Sequence, residues 1–375
     1  MATAEIITIG TEILLGEIVD TNTRHIALNL RDLGVDLYRT VTIGDNEERI
    51  ATAIQESVER NEIVITTGGL GPTVDDPTRA AVARALGLKT EFREDLWQQV
   101  VEAISRYGRK PAENQRRQAV IPEGAIAIRN PVGTAPAFIV EAGRSVVISL
   151  PGVPNEMEHI LHESIIPYLQ RKYDLSHVIK VRILHCAGLG EGTIDEKIGD
   201  LETLANPTVG LAAHTGVVDV RIAAKAENEA GALELISKVE MDVRQRLGRA
   251  VFGADTDRLE TVAMQALRRR GWTFIGLEVG LGGLLGTRLE NSMSLPAVPA
   301  GGLMEAARTA RADSGADVAL GVAADEGTKS AQMVLITPTL EKKHQIVYGG
   351  PPRSLSRWAV NLALNWLRIN CEETS

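Results

Sequence analysis

The chain has 375 residues, 44% of them hydrophobic and 24% charged, with a formal net charge of −9. That balance fits a soluble globular protein of two or three domains, each able to bury a core. The acidic surplus argues against nonspecific nucleic-acid binding, and 3% aromatic content leaves few platforms for stacking bases. Cys186 and Cys371 stand far apart and away from other soft ligands, against a disulfide framework or zinc site. The opening MATAEIITIG reads as a short strand without signal-peptide character, and no apolar run reaches membrane-spanning length. A cytoplasmic chain without nucleic-acid or membrane partners is expected.

EIITIG predicts a buried strand ending at Gly10, and a helix follows Asp20–Thr21 with Ile26, Leu30 and Leu33 on one face. Gly34 ends it before the strand VDLYRTVTI. A second helix carries Ile50, Ile54 and Val58, and EIVITT is the next buried strand. This alternation predicts an α/β fold with a helix-covered parallel sheet, whose ligands bind at the carboxyl ends of the strands. Both IGTE (Ile9–Glu12) and TTGGLGPT (Thr66–Thr73) lie at such ends. Residues 106–133 are polar and Pro-containing, read as a helix plus a long loop able to act as a lid. AFIVEAGRSVVISL is a hairpin turning at Ala142–Gly143, and PGVPNEME opens a helix.

From about Leu175 to Phe252 the pattern becomes a small α+β unit: a long strand, a short helix, two strands and a long helix. From about Asp255 onward another α/β block follows, with the strands WTFIGLEV, DVALGVA, AQMVLIT and HQIVYGG and the closing helix WAVNLALNWL.

The segment Thr66–Ala81, TTGGLGPTVDDPTRAA, is the richest in chemistry. A strand, a glycine turn and a helix start bring backbone N–H groups and partial positive charge towards an anion. Asp75 and Asp76 share the turn, and carboxylates repel phosphate unless a divalent cation lies between them. The pattern points to metal-assisted chemistry on a phosphorylated ligand. It is neither a Walker A loop nor a dinucleotide fingerprint. The plainer alternative makes Asp76 an N-cap ahead of Pro77 at the first helical position.

Several runs resemble the CinA (competence/damage-inducible protein) family and the molybdopterin-binding fold of MoaB, Mog and MoeA. They are IGTEILLGEIVDTN (Ile9–Asn22), TIGDN (Thr42–Asn46), TTGGLGPTVDDPTR (Thr66–Arg79), ENQRRQAVIPEGA (Glu113–Ala125), NPVGTAP (Asn130–Pro136) and LPGVPNEM (Leu150–Met157). The resemblance implies three domains: 1–173 molybdopterin-binding-like, 174–253 KH-like, and 254–375 similar to a nicotinamide-nucleotide amidase. The last departs from its family pattern: in LEVGLGG (Leu277–Gly283) the nucleophilic serine position holds Val279, with Gly280 and Leu281 at the cysteine and threonine positions. Valine has no hydroxyl to attack an amide carbon, so amidase chemistry is expected to be lost.

For the first domain the resemblance implies hydrolysis of ADP-ribose at its pyrophosphate, giving AMP and ribose 5-phosphate in NAD by-product recycling. The cofactor would be magnesium, manganese or cobalt, with potassium as an additional cation, and the assembly a homodimer. Asp75 and Asp76 are the candidate catalytic residues, and Asp45, Asp75 and Asp76 the candidate metal ligands. Substrate contacts are expected from Gly10, Thr11, Glu12, Asn22, Thr67, Gly68, Gly69, Gly71, Pro72, Thr73, Thr134, Gly152 and Glu156. Glu12 alternatively remains a solvated carboxylate, Asp20 an N-cap, and Arg79, Arg116 and Arg117 surface residues. Glu158, His159, His162 and Glu163 have metal-ligand spacing on a helix but read as a solvated face. Glu191 in GLGEGT has the wrong sign for a KH phosphate clamp. Two alternatives stay open: a non-catalytic nucleotide or molybdopterin binding module, and a nicotinamide mononucleotide deamidase.

Overall fold

The computed structural model describes residues 2–106, 108–175, 177–299 and 302–372. The chain divides into two compact units, Met1–Lys180 with Lys225–Ala232, and Val181–Ala224 with Leu233–Ser375. The middle and last sequence segments thus fall largely in one unit.

In the first unit β1 (Thr3–Ile9), β2 (Asp36–Ile43) and β3 (Ile63–Thr67) alternate with α1 (Thr11–Leu14), α2 (Thr21–Asp32) and α3 (Glu47–Arg60). After the glycine turn come α4 (Thr78–Ala85), β4 (Thr90–Phe92), α5 (Glu94–Ser105), β5 (Val120–Pro122) and β6 (Ile126–Ile128). The hairpin β7 (Ala137–Ala142) and β8 (Ser145–Leu150) leads into α6 (Pro154–Ile160), a π-helical turn at Leu161–Ile165, and α7 (Ile166–Tyr173).

The sheet order is β2-β1-β3-β8-β7-β6. The first four strands are parallel, whereas β7 runs against them and pairs antiparallel with both of its neighbours, β8 and β6. The sheet is therefore mixed rather than wholly parallel, because a tight hairpin at Gly143–Arg144 reverses the chain between β7 and β8. The turn sits one residue beyond the expected Ala142–Gly143. One face of the sheet buries Ile26 and Leu30 of α2 with Met157, Ile160 and Leu169 of the α6–α7 segment. The other buries Ile50 and Ile54 of α3, Ala81 and Val82 of α4 and Leu96 of α5. Each such large aliphatic side chain contributes about 1.5–3 kcal/mol by leaving water. The stretch expected to be a lid is structured: β5 pairs with β4, β6 pairs with β7, and a 3-10 turn spans Glu113–Ala119.

A four-stranded sheet follows, ordered β10-β11-β9-β12, from β9 (Val178–Ala187), β10 (Thr208–His214), β11 (Val217–Ala226) and β12 (Val251–Ala254). Its helices are α8 (Glu191–Glu202) and α9 (Glu229–Leu247).

The last sheet, ordered β14-β13-β15-β16-β17, is built from β13 (Phe274–Val279), β14 (Ser292–Leu295), β15 (Val318–Asp325), β16 (Ser330–Ile336) and β17 (Glu341–Val347). The helices α10 (Leu259–Arg269) and α13 (Leu355–Cys371) share one core with it, and α12 (Gly302–Ser314) another. The short α11 (Leu284–Arg288) follows β13. No helix among the described residues is long and apolar enough to cross a membrane.

Candidate functional site

Strand order places β2 on one side of β1 and β3 on the other, so chain connections diverge at the β1/β3 boundary. Ligands of open α/β sheets bind at such a switch point, beyond the strand carboxyl ends. The two loops leaving it are in close contact. Gly68 has φ +104°, and a Cβ built there would lie 2.1 Å from the Ile9 carbonyl oxygen. Only glycine allows both this backbone and this approach.

Gly68 N–H donates to Leu150 O at 3.1 Å, and Thr78 Oγ1 donates to Gly68 O at 2.9 Å. Asn22, buried, donates to Thr67 Oγ1 (3.0 Å) and Gly152 O (2.8 Å), tying α2 and the loop after β8 to the same strand end. Among the described residues, no acceptor meets the amides of Gly69, Leu70 and Gly71. These three, rather than the whole Gly68–Thr73 run, lack an internal acceptor, because Gly68 and Thr73 spend theirs internally and Pro72 has no N–H.

Asp76 is not an N-cap. Helix α4 starts at Thr78 after Pro77, without a side-chain cap. Asp76 Oδ2 instead accepts from Thr73 N–H at 2.8 Å and Thr73 Oγ1 at 2.6 Å, bracing the turn and leaving Oδ1 outside those bonds. Asp75 is exposed. Asp45 Oδ2 accepts from Thr11 N–H (2.9 Å) and Thr11 Oγ1 (2.7 Å), which fastens the loop after β2 to that after β1. Among the described residues no three His, Cys, Asp or Glu side chains gather as a metal cage, so Asp45, Asp75 and Asp76 do not form one. The aspartate pair still fits a hard cation completed by substrate oxygens, as magnesium is commonly held by one or two carboxylates plus phosphates.

Arg79 departs from the surface role anticipated for it. It is 5% exposed and donates to Leu70 O at 2.5 Å and Gly71 O at 3.2 Å, beneath the turn. Burial pushes its guanidinium down to about 10, with Asp76 opposing the shift. Arg117 reaches Pro72 O at 3.3 Å, while Arg116 lies over Phe92 and Trp97 and pairs with Glu113.

Asp20 caps α2 by accepting from Thr23 N–H at 2.9 Å. Glu12 follows Gly10 in the short α1 and is half-buried. Glu156, in the first turn of α6, accepts from Asn130 Nδ2 at 2.6 Å, and burial raises its carboxyl above the usual glutamate range despite that bond. Asn130 Oδ1 accepts from the Val132 and Gly133 amides (3.1 and 2.9 Å), and Gln118 donates to Thr134 Oγ1 at 3.1 Å. Sequence reasoning missed Asn130 and Gln118. The Asn-Pro step at Asn130 marks a turn and was the available signal.

Comparisons with known proteins agree with this architecture. Residues 5–171 match a family model described as a probable molybdopterin binding domain, and residues 181–253 match the damage-inducible protein CinA KH domain. The competence-damage inducible protein of Caldanaerobacter subterraneus is 40% identical over 287 residues, 76% of this chain and 69% of that protein. The CinA-like protein of Kosmotoga olearia is 38% identical over 289 residues, 77% of this chain and 70% of that protein. A crystal structure of the protein CinA from Thermoplasma acidophilum, 37% identical, covers 44% of this chain and 98% of its own, with a TM-score of 0.41. The chain belongs to the CinA, or competence/damage-inducible protein, family and carries that family's molybdopterin-binding-like and KH domains.

Proposed function

We propose that the first unit hydrolyses the pyrophosphate of ADP-ribose to AMP and ribose 5-phosphate with the help of a hard divalent cation. The observation that supports this reading is the pairing of three unengaged amides, at Gly69, Leu70 and Gly71, with adjacent carboxylates in one turn at the β1/β3 switch point. The amides receive phosphate oxygens. Asp75 and the Oδ1 of Asp76 hold the cation. When bound, magnesium, manganese or cobalt neutralises the pyrophosphate and lowers the pKa of a water molecule. Arg79 fixes the carbonyls of Leu70 and Gly71 from below, which turns the Gly71 N–H, opposite the Leu70 carbonyl in the same trans peptide plane, away from the arginine. Water adds to one phosphorus, the bridging oxygen leaves with the other phosphate, and one proton is released to solvent.

The test is AMP release from ADP-ribose by the purified chain with each cation. Activity in the wild type, and its loss in both Asp75→Asn and Asp76→Asn, supports the assignment. Tight nucleotide or pterin binding without turnover selects a binding module instead, the reading favoured by the description of the matched domain.

In the last sheet we read the amidase site as lost. Gly280 has φ +68°, and a Cβ there would lie 2.3 Å from Ala324 O, so this turn excludes a cysteine side chain. Glu278 is buried and committed to Leu285 N–H at 2.6 Å and to the Ser294 hydroxyl. Ammonia release from nicotinamide mononucleotide would refute this.

A further inference from the structure

Two helices that frame the crevice carry a second cluster one turn further along, which the hydrolysis does not use. We propose that His25 and His162 bind one transition-metal ion of the zinc, cobalt(II) or nickel type, with Glu158 orienting His25. His25 lies in α2 and His162 in the π-helical turn after α6. Their Nε2 atoms are 3.3 Å apart, and the rings meet edge to face with centroids 5.4 Å apart. Two metal–nitrogen bonds of about 2.0–2.1 Å at a tetrahedral angle put the nitrogens about 3.3–3.4 Å apart. The two rings therefore already stand at the spacing a shared ion requires.

The outer contact also matches. His25 Nδ1 lies 3.3 Å from Glu158 Oε1. Donation of Nδ1–H to that carboxylate leaves the Nε2 lone pair facing His162, the tautomer a metal ligand needs. With no ion, the His162 Nε2–H fills the gap as a hydrogen bond; with an ion, that proton moves to His162 Nδ1. The π-helical turn is an independent sign, since such turns are rare and concentrate at functional sites. Among the described residues no third protein ligand joins, so water completes the coordination. Imidazole selects softer ions than the aspartate pair does, so the two sites sort metals by chemistry. Asn22 on α2 holds Gly152, and Glu156 on α6 holds Asn130. An ion shared by His25 and His162 would clamp these two helices together.

Metal-stripped protein titrated with cobalt(II) should take up one equivalent beyond any held by the Asp75–Asp76 pair, with a visible d–d absorption band of imidazole ligation, and its thermal midpoint should rise. His25→Gln and His162→Gln should each abolish the band. Glu158→Gln should weaken binding about 10- to 100-fold. The Asp75→Asn, Asp76→Asn double variant should keep the band, which separates this site from the hydrolytic one whatever the fate of that reading. His162 is exposed, so its variant is expected to fold, with circular dichroism as the check. Absence of the band in the folded wild type, or its survival in both histidine variants, overturns the proposal.

Discussion

Gly68→Ala should separate crowding from backbone strain at the heart of the candidate site. The new methyl would lie 2.1 Å from Ile9 O, whereas ordinary carbon–oxygen contact needs about 3.4 Å, so the β1 and β3 loops must part by roughly 1.3 Å. Both atoms belong to backbone at the ends of paired strands and cannot swing aside. Overpacking of this kind costs about 1–3 kcal/mol, and the φ of +104° adds about 1–3 kcal/mol for a residue with a Cβ. Gly87→Ala is the control: φ is +67° but nothing lies within 4 Å, so only the strain remains. Urea denaturation should show Gly68→Ala less stable than Gly87→Ala by about 1–3 kcal/mol. Displacement of about 1 Å at a reacting centre can cost about 10²-fold in rate, so AMP release should fall by that order in the first variant only. Equal stability of the two variants would refute the claim that the two loops are in contact.

The remaining predictions concern neighbours of that contact. Asp76→Asn keeps an acceptor for Thr73 and should lose activity while costing under about 1 kcal/mol, whereas Asp76→Ala should lose activity and about 1–2 kcal/mol more, read by thermal melts. Arg79→Met leaves the Leu70 and Gly71 carbonyls without their donor and should destabilise the chain by about 2–4 kcal/mol; an unchanged melt would show that the arginine does not brace the turn. Glu156 has a raised native pKa, so its stabilising contribution is full below the unfolded value near 4.5 and is lost as pH rises through the native one. Glu156→Gln should remove that decline, making the variant relatively more stable as pH rises above about 4.5, and parallel urea midpoints would contradict the sign.

The sequence alone determined the local elements, because their signals are local. The period of Ile26, Leu30 and Leu33 marked α2, Asp20 supplied its cap, and the run EIVITT marked a strand buried on both faces. The same reading placed the glycine turn at a strand end and named the Asp75–Asp76 pair. What it could not supply were distances between segments far apart in the chain. Whether Arg79 points outward or beneath the turn depends on where Leu70 and Gly71 lie, and only packing of α4 against the sheet decides it. The cap held open as the plainer alternative for Asp76 gave way to another local partner, Thr73, three residues back, which offers two donors once the turn closes. The antiparallel β6–β7 edge, the spending of Asp45 on Thr11, and the meeting of His25 with a histidine 137 residues away are likewise products of tertiary structure. Periodicity and capping are written in neighbouring residues, whereas these contacts arise only when the sheet brings distant loops to one end.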